Sequence, residues 1–273
     1  MRVVVCCLAK NEELYINDFV KWYLGIKVDK IYIYDNNDIR KGNSLEKAIS
    51  SNFLNKCEII NVRGKSGKQF QHEIYTTFYN KYKDTFDWCL FIDIDEYLNG
   101  VPNIKSLLSL HIYNKFNQIR VKWLLFGDDD LIERDMSKPV YKAIKKPIYS
   151  SLHRNLKEKG NLEWQGKCIV RGGLDNVVFT SVHYAKYTKG RMLESCLPNG
   201  MSCYSKIIIT ERYNCGIYLY HYMTKTLSEF INQKLNRNDA VYNTNIKIDY
   251  FWRINKKTKE KIDYINQKLG EQE

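Results

Sequence analysis

The sequence predicts an α/β protein: a mostly parallel sheet covered by helices on both faces, with a helical C-terminal extension. Three observations carry this. Over the first 100 residues, short and almost wholly apolar runs alternate with amphipathic stretches. Strands buried on both faces read as unbroken hydrophobic runs, and parallel neighbours need crossover helices. Finally, the chain has 273 residues of which 44% are hydrophobic, which supports a large core and excludes disorder as the main state.

Each element has its own signal. Residues 2–8 are apolar and β-branched, a buried strand. Asn11 then offers a helix cap, and Tyr15, Phe19, Tyr23 with Ile16, Val20, Leu24 recur every four residues behind it. Residues 30–34 (KIYIY) form a second strand, ending in the polar turn Asp35-Asn36-Asn37-Asp38. A helix is predicted over 44–53, a strand over 57–62, a helix over 69–82 and a fourth strand over 88–93 (WCLFID). The second half is less regular. It reads as a helix over 103–111, a strand over 118–126 leading into Gly127-Asp128-Asp129-Asp130, and polar loops over 131–165. Strand-like pieces follow at 168–171, 177–184, 206–210 and 217–222. Thr226-Leu227-Ser228-Glu229 has the pattern of a capping box opening a helix with Leu227, Phe230, Ile231 and Leu235 on one face. A last helix is predicted over 257–269. Without a linker or internal repeat, the chain reads as one domain over 1–250 and a basic helical extension over 251–273.

Charge and cysteines narrow the class. The balance of 43 Lys+Arg against 31 Asp+Glu gives a net charge of +12, which suits nucleic acid, an anionic membrane surface or a phosphate-bearing substrate. No aromatic-rich RNA-recognition strand accompanies it. The eight Cys sit mostly in apolar runs and form no C-x-x-C pair, so they read as reduced core thiols rather than zinc ligands or staples. No apolar stretch approaches the ~20 residues of a membrane span, and the first run lacks the form of a leader. A cytoplasmic protein is expected.

The densest chemistry is Phe91-Ile92-Asp93-Ile94-Asp95-Glu96-Tyr97. In an extended chain, residues i and i+2 point the same way, so Asp93 and Asp95 are expected on one face with Ile94 in the core. Two carboxylates at the end of a buried strand repel unless a cation lies between them. Their hard oxygens suit Mg²⁺ or Mn²⁺, which in turn holds a pyrophosphate.

These segments resemble a known family. Residues 3–8, Lys10-Asn11-Glu12, Trp22-Tyr23 and IYIYDN (31–36) are similar to the nucleotide-binding half of a GT-A glycosyltransferase. FIDIDEYL (91–98), VKWLLFG (121–127) and HYMTKTLSEFINQK (221–234) resemble, in the same order, glycosyltransferase family 92 and its bacterial family-2-like relatives from surface-polysaccharide loci. The resemblance runs from about Val3 to Tyr242. It implies a GT-A, Rossmann-like sheet, with a nucleotide-binding half over 1–100 and an acceptor half over 101–250.

It also implies roles. Asp93 and Asp95 match the metal-binding D-x-D, with His221 as a third ligand to Mn²⁺ (or Mg²⁺) and His183 as its competitor. Lys10, Glu12, Asp35, Arg63 and Lys65 stand where such enzymes meet the base, ribose or phosphate. Asp93, Lys167, His183 and Lys225 complete the nucleotide-sugar set, Lys167 and Lys225 neutralising the departing diphosphate. Helix-start charge, turn formation and solvated loop cations are the plainer roles of Glu12, Asp35 and Arg63 with Lys65. Inversion needs a carboxylate base, taken as Asp128 or Asp129; relatives read G-D-N here, and Asp129 departs from that. Trp123 and Trp164 are stacking candidates, or core.

The expected activity is metal-dependent, inverting transfer of a hexose, galactose from UDP-galactose, to a glycan or lipid-linked oligosaccharide of bacterial surface polysaccharide or lipopolysaccharide. The basic stretch 253–261 suggests peripheral contact with an anionic inner membrane face. No nucleic-acid partner is expected. A sugar nucleotidyltransferase is the rival enzyme, but Ala9-Lys10-Asn11-Glu12 lacks the Gly of a phosphate loop. A nucleic-acid binder would leave the acidic clusters unexplained.

Overall fold

The computed structural model describes residues 1–67, 69–148, 165–204, 215–235 and 245–270. The strand predicted over 206–210, Trp164 and Tyr242 lie outside them. Two compact units are present: Met1–Leu124, Leu162–His221 and Ala240–Asn243 in the first, and Leu125–Asn161, Tyr222–Asp239 and Thr244–Glu273 in the second.

The first unit is built on β1 (Val3–Ala9), β2 (Lys30–Asp35), β3 (Cys57–Asn61) and β4 (Trp88–Phe91). They lie in the order β3-β2-β1-β4 and all pair in parallel. Every residue of β1 is buried, as a strand covered on both faces must be. The crossover helices are α1 (Ile16–Gly25), the short α2 (Ser44–Lys47) and α3 (Ser51–Leu54), and α4 (Phe70–Tyr82). Helix α1 buries Ile16, Phe19, Val20 and Tyr23, while Tyr75, Phe78 and Tyr79 of α4 enter a cluster with Cys6, Phe91 and Phe179. Beyond β4 the sheet turns antiparallel. β7 (Gly166–Arg171) pairs with β4 and with β6 (Gln118–Phe126), and β11 (Tyr218–Tyr222) with β5 (Glu96–Asn99). β10 (Ser195–Cys196) adds a short parallel edge to β6. β8 (Val177–Ser181) and β9 (Tyr184–Tyr187) make a separate hairpin. Parallel pairing thus joins the first four strands and recurs at the β10–β6 edge, while β7 and β5 pair antiparallel with their neighbours.

Several boundaries differ from expectation for local reasons. Asn11 does not cap α1. It has φ 58°, and its N–H donates to Asn37 Oδ1 at 2.7 Å; the helix begins at Ile16 behind Tyr15. The 44–53 helix breaks because Ser50 N–H leaves the helical ladder for Asn17 Oδ1 at 2.9 Å. The 103–111 helix shortens to α5 (Ile104–Leu108), capped by Asn103. The single strand expected over 177–184 is a hairpin, turning at Ser181–Tyr184 with a register shift after Phe179.

The second unit holds α6 (Val140–Ala143), α7 (Leu227–Glu229), α8 (Ile248–Trp252) and α9 (Lys259–Gly270), of which α7, α8 and α9 contribute to a small core around Leu227, Phe230 and Phe251. The capping box at Thr226–Glu229 is present, and Arg134 pairs with the buried Glu229 at 2.8 Å. Among the described residues, no helix is long and apolar enough to cross a membrane.

Candidate functional site

In the order β3-β2-β1-β4, the sheet grows one way from β1 through β2 and the other way through β4. The carboxyl ends of β1 and β4 thus flank the point where strand order reverses, the crevice in which open α/β sheets place their ligands. Lys10 and Glu12 follow β1, and Asp93 and Asp95 follow β4.

The chain does not run on as a strand past β4: residues 93–96 form a turn that leads into β5 at Glu96. Glu96 N–H donates to Asp93 O at 3.1 Å, and the Glu96 carboxylate accepts Asp93 N–H at 2.8 Å. Ile94 enters the core as expected, but the turn sends the two aspartates to different partners. Asp93 Oδ2 lies 2.7 Å from the ammonium of Lys167 on β7, and its Oδ1 accepts from Gln71 at 2.6 Å and Tyr75 OH at 3.3 Å. Asp95 Oδ1 lies 3.5 Å from His221 Nε2 at the end of β11.

The electrostatics follow from burial and charge together. Burial is the strongest single influence on the Asp93 carboxyl and pushes it up, but the charge and hydrogen bond of Lys167 together with His221 carry the net shift downward. Burial likewise pushes the Lys167 ammonium down, and Asp93 with Glu96 more than reverses it. Glu96 has no exposed surface and is held well above the usual carboxylate range by burial, against the pull of Lys167. Its second oxygen accepts Trp123 Nε1–H at 2.6 Å. Trp123 is 8% exposed and lies between two imidazoles, its ring 4.5 Å from His221 and 5.1 Å from His183. The His221 ring is thereby placed by packing, and its Nδ1 has no hydrogen-bond partner among the described residues.

The other nucleotide candidates form a second group. Asp35 is fully buried and pairs with Arg63, Nε to Oδ2 2.6 Å; its other oxygen accepts Asn37 N–H. Asp35 is thus reached through Arg63 rather than from solvent. Lys65 is exposed, Lys10 half-buried and Glu12 buried.

A divalent ion can be tested against this arrangement. In octahedral coordination with ligands at ~2.1 Å, adjacent ligand atoms lie ~3 Å apart. The 3.5 Å between Asp95 Oδ1 and His221 Nε2 is compatible with two such positions. Asp93 is outside this pair, its carboxylate held by Lys167, Gln71 and Tyr75. Among the described residues, no three His, Cys, Asp or Glu side chains converge. The chain offers two ligands, and Mg²⁺-type ions commonly complete their shell with substrate phosphates and water. His183, the competing candidate, has its Nδ1 2.8 Å from Gly166 O, a contact that leaves Nε2 as its acceptor nitrogen.

In the second unit the acidic turn is tightly held. Asp128 is 3% exposed; its Oδ2 is 2.5 Å from Lys261 Nζ, and its Oδ1 accepts Asp130 N–H at 3.0 Å. Burial raises the Asp128 carboxyl, and Lys261 only partly offsets this. Asn255 accepts Asp128 N–H at 2.7 Å and donates to Thr224 Oγ1 at 3.0 Å, beside the buried Lys225. Gly127 is required here, since a Cβ would stand 2.3 Å from Asn255 Oδ1. Asp129, at φ 53°, pairs with Lys146 at 3.2 Å. Sequence reasoning missed Gln71, Asn255 and Lys261. The last lay in the stretch read as membrane-facing, yet it is 2% exposed.

No protein-family model matches the chain, and no curated protein matches it in sequence. Solved structures of S. aureus TarS are similar to it. One matches at 11% identity with a TM-score of 0.44, covering 82% of this chain and 37% of TarS. TarS 1–349 in complex with UDP-GlcNAc matches at 11% identity and a TM-score of 0.38, covering 63% of this chain and 45% of that one. TarS 1–349 in complex with UDP matches at 11% identity and 0.37, covering 63% and 47%. The chain thus spans less than half the length of each.

Proposed function

We propose that this chain is a glycosyltransferase that takes a hexose from a UDP-sugar and passes it to a glycan or lipid-linked oligosaccharide. Galactose and surface-polysaccharide or lipopolysaccharide synthesis are the donor and setting that the family resemblance implies. The observation that supports the reading is the cluster of Asp93–Lys167 and Asp95–His221 beyond β4, at the strand-order reversal between β1 and β4.

Lys167 and Gln71 fix the Asp93 carboxylate, whose side chain is 31% exposed, and that open edge accepts a ribose hydroxyl. Arg63, aligned by Asp35, presents its remaining N–H groups to the base or phosphate, with Lys10, Glu12 and Lys65 beside the same loops. Asp95 and His221 would hold Mn²⁺ or Mg²⁺, which when bound offsets charge on the leaving diphosphate. Lys225 is retained as a donor-binding cation. In the transfer, the acceptor oxygen forms a bond to the anomeric carbon as the bond to the diphosphate oxygen breaks, inverting that centre. The base that takes the acceptor's proton is, as the family resemblance implies, a carboxylate of the acidic turn, Asp128 or Asp129.

A panel of UDP-hexoses, assayed for UDP release with Mn²⁺ and with chelator, tests this. Release from one donor, lost in Asp95→Ala, is the expected result. No release from any UDP-sugar, with no UDP binding, would overturn it.

A further inference from the structure

His183 occupies the turn between β8 and β9, and the resemblance places it in the nucleotide-sugar set without giving it a contact there. Its orientation is fixed from two sides. Nδ1 lies 2.8 Å from Gly166 O, a carbonyl that only accepts, so the ring proton sits on Nδ1 and Nε2 carries a bare lone pair. The ring also meets Trp123 edge-on, at 5.1 Å and 78°, and Trp123 is itself held by its bond to Glu96.

Gly166 is pressed against β6 so closely that a Cβ would fall 1.9 Å from Val121 O. The next residue is Lys167, which holds Asp93. One short piece of β7 therefore sets both the donor-site carboxylate and the imidazole. His183 is half-buried, and its Nε2 has no hydrogen-bond partner among the described residues. A histidine serving only the core is usually satisfied at both nitrogens. Burial and the Lys167 charge push its pKa down to about 3, so the ring stays a neutral acceptor at working pH.

We propose that His183 Nε2 accepts a hydroxyl of the donor's hexose and so helps to select the sugar. The inference rests on the donor-site reading above. Sugar hydroxyls are the matching chemistry, since a neutral sp² nitrogen with a blocked proton can only accept. A diphosphate, which offers acceptors alone, is a poor partner for it.

The test is titration calorimetry of UDP and of several UDP-hexoses against wild type, His183→Ala and His183→Gln. The expected result is UDP affinity within twofold of wild type in both variants. At least one UDP-hexose should bind wild type more tightly than UDP does, lose roughly tenfold in His183→Ala, and recover part of it in His183→Gln through the amide oxygen. Unchanged UDP affinity doubles as the folding control. Equal losses for UDP and UDP-hexose would overturn the inference, assigning His183 to the fold or the nucleotide. Unchanged UDP-hexose affinity would overturn it as well, leaving the donor site intact. Failure of wild type to bind UDP or any UDP-hexose would sink the donor reading and this inference with it.

Discussion

The ammonium of Lys167, 1% exposed on β7, stands 2.7 Å from a carboxylate oxygen of Asp93 in the turn after β4. Two strands that run antiparallel to each other thus hold a buried cation against the site's first acidic residue. Glu96, fully buried, lies in the same field.

Removing that cation leaves uncompensated charge in a buried place. Lys167→Met is expected to cost about 3 kcal/mol of stability, read by urea unfolding. The double variant Lys167→Met with Asp93→Asn should recover much of it, because neither charge then remains. A single variant as stable as wild type would contradict the pairing.

Gly166→Ala tests the approach of β7 to β6. A Cβ there meets backbone at 1.9 Å, which no side-chain rotation relieves, so a loss of about 3 kcal/mol is expected. A melting temperature equal to wild type would show that the strands are spaced more widely.

The depressed His183 has a pH consequence whose sign is fixed. Its folded pKa of about 3 lies below the ordinary ~6.5 of the unfolded chain. Between those values the unfolded state binds more protons, so stability is lost as pH falls from ~6.5 toward ~3. In His183→Gln the dependence of unfolding free energy on pH should shrink by up to about one proton in that window. Parallel curves for the two proteins would place His183 in open solvent.

Lys261→Met should destabilise the second unit by about 3 kcal/mol, since it strands the Asp128 carboxylate, and Asp128→Asn in the same chain should restore part of this. Differential scanning calorimetry reads both. No change in the single variant would mean that the C-terminal helix does not hold the acidic turn.

Membrane contact, if it uses the C-terminal stretch, must use its exposed cations. Lys256, Lys257 and Lys259 are exposed whereas Lys261 is not. Replacing the first three with Gln should weaken sedimentation with phosphatidylglycerol vesicles by about 1 kcal/mol per lysine. Binding that is unchanged would remove this segment from any membrane role.

What the sequence revealed depended on how local the cause was. The run VVVCCLA announced β1 because every side chain in it is buried, and the Thr226 capping box was legible because both partners lie within one turn. The Asp93–Glu96 turn was misread because Ile94, buried between two aspartates, imitates the alternation of a strand. Its real organiser is the Glu96 carboxylate folding back onto Asp93 N–H. Lys261 was invisible as a buried ion because its partner, Asp128, is distant in sequence, and a cation in a basic run looks like a solvated one. The orientation of His183 depends on a backbone carbonyl, for which side-chain identity gives no signal.

The most direct measurement of the central claim is calorimetry of UDP binding with and without Mn²⁺, on wild type and Asp95→Ala. Binding that strengthens with Mn²⁺ in wild type and loses that dependence in the variant is the predicted result. No UDP binding in either condition, or an identical response in the variant, would contradict the placing of the donor site at the end of β4.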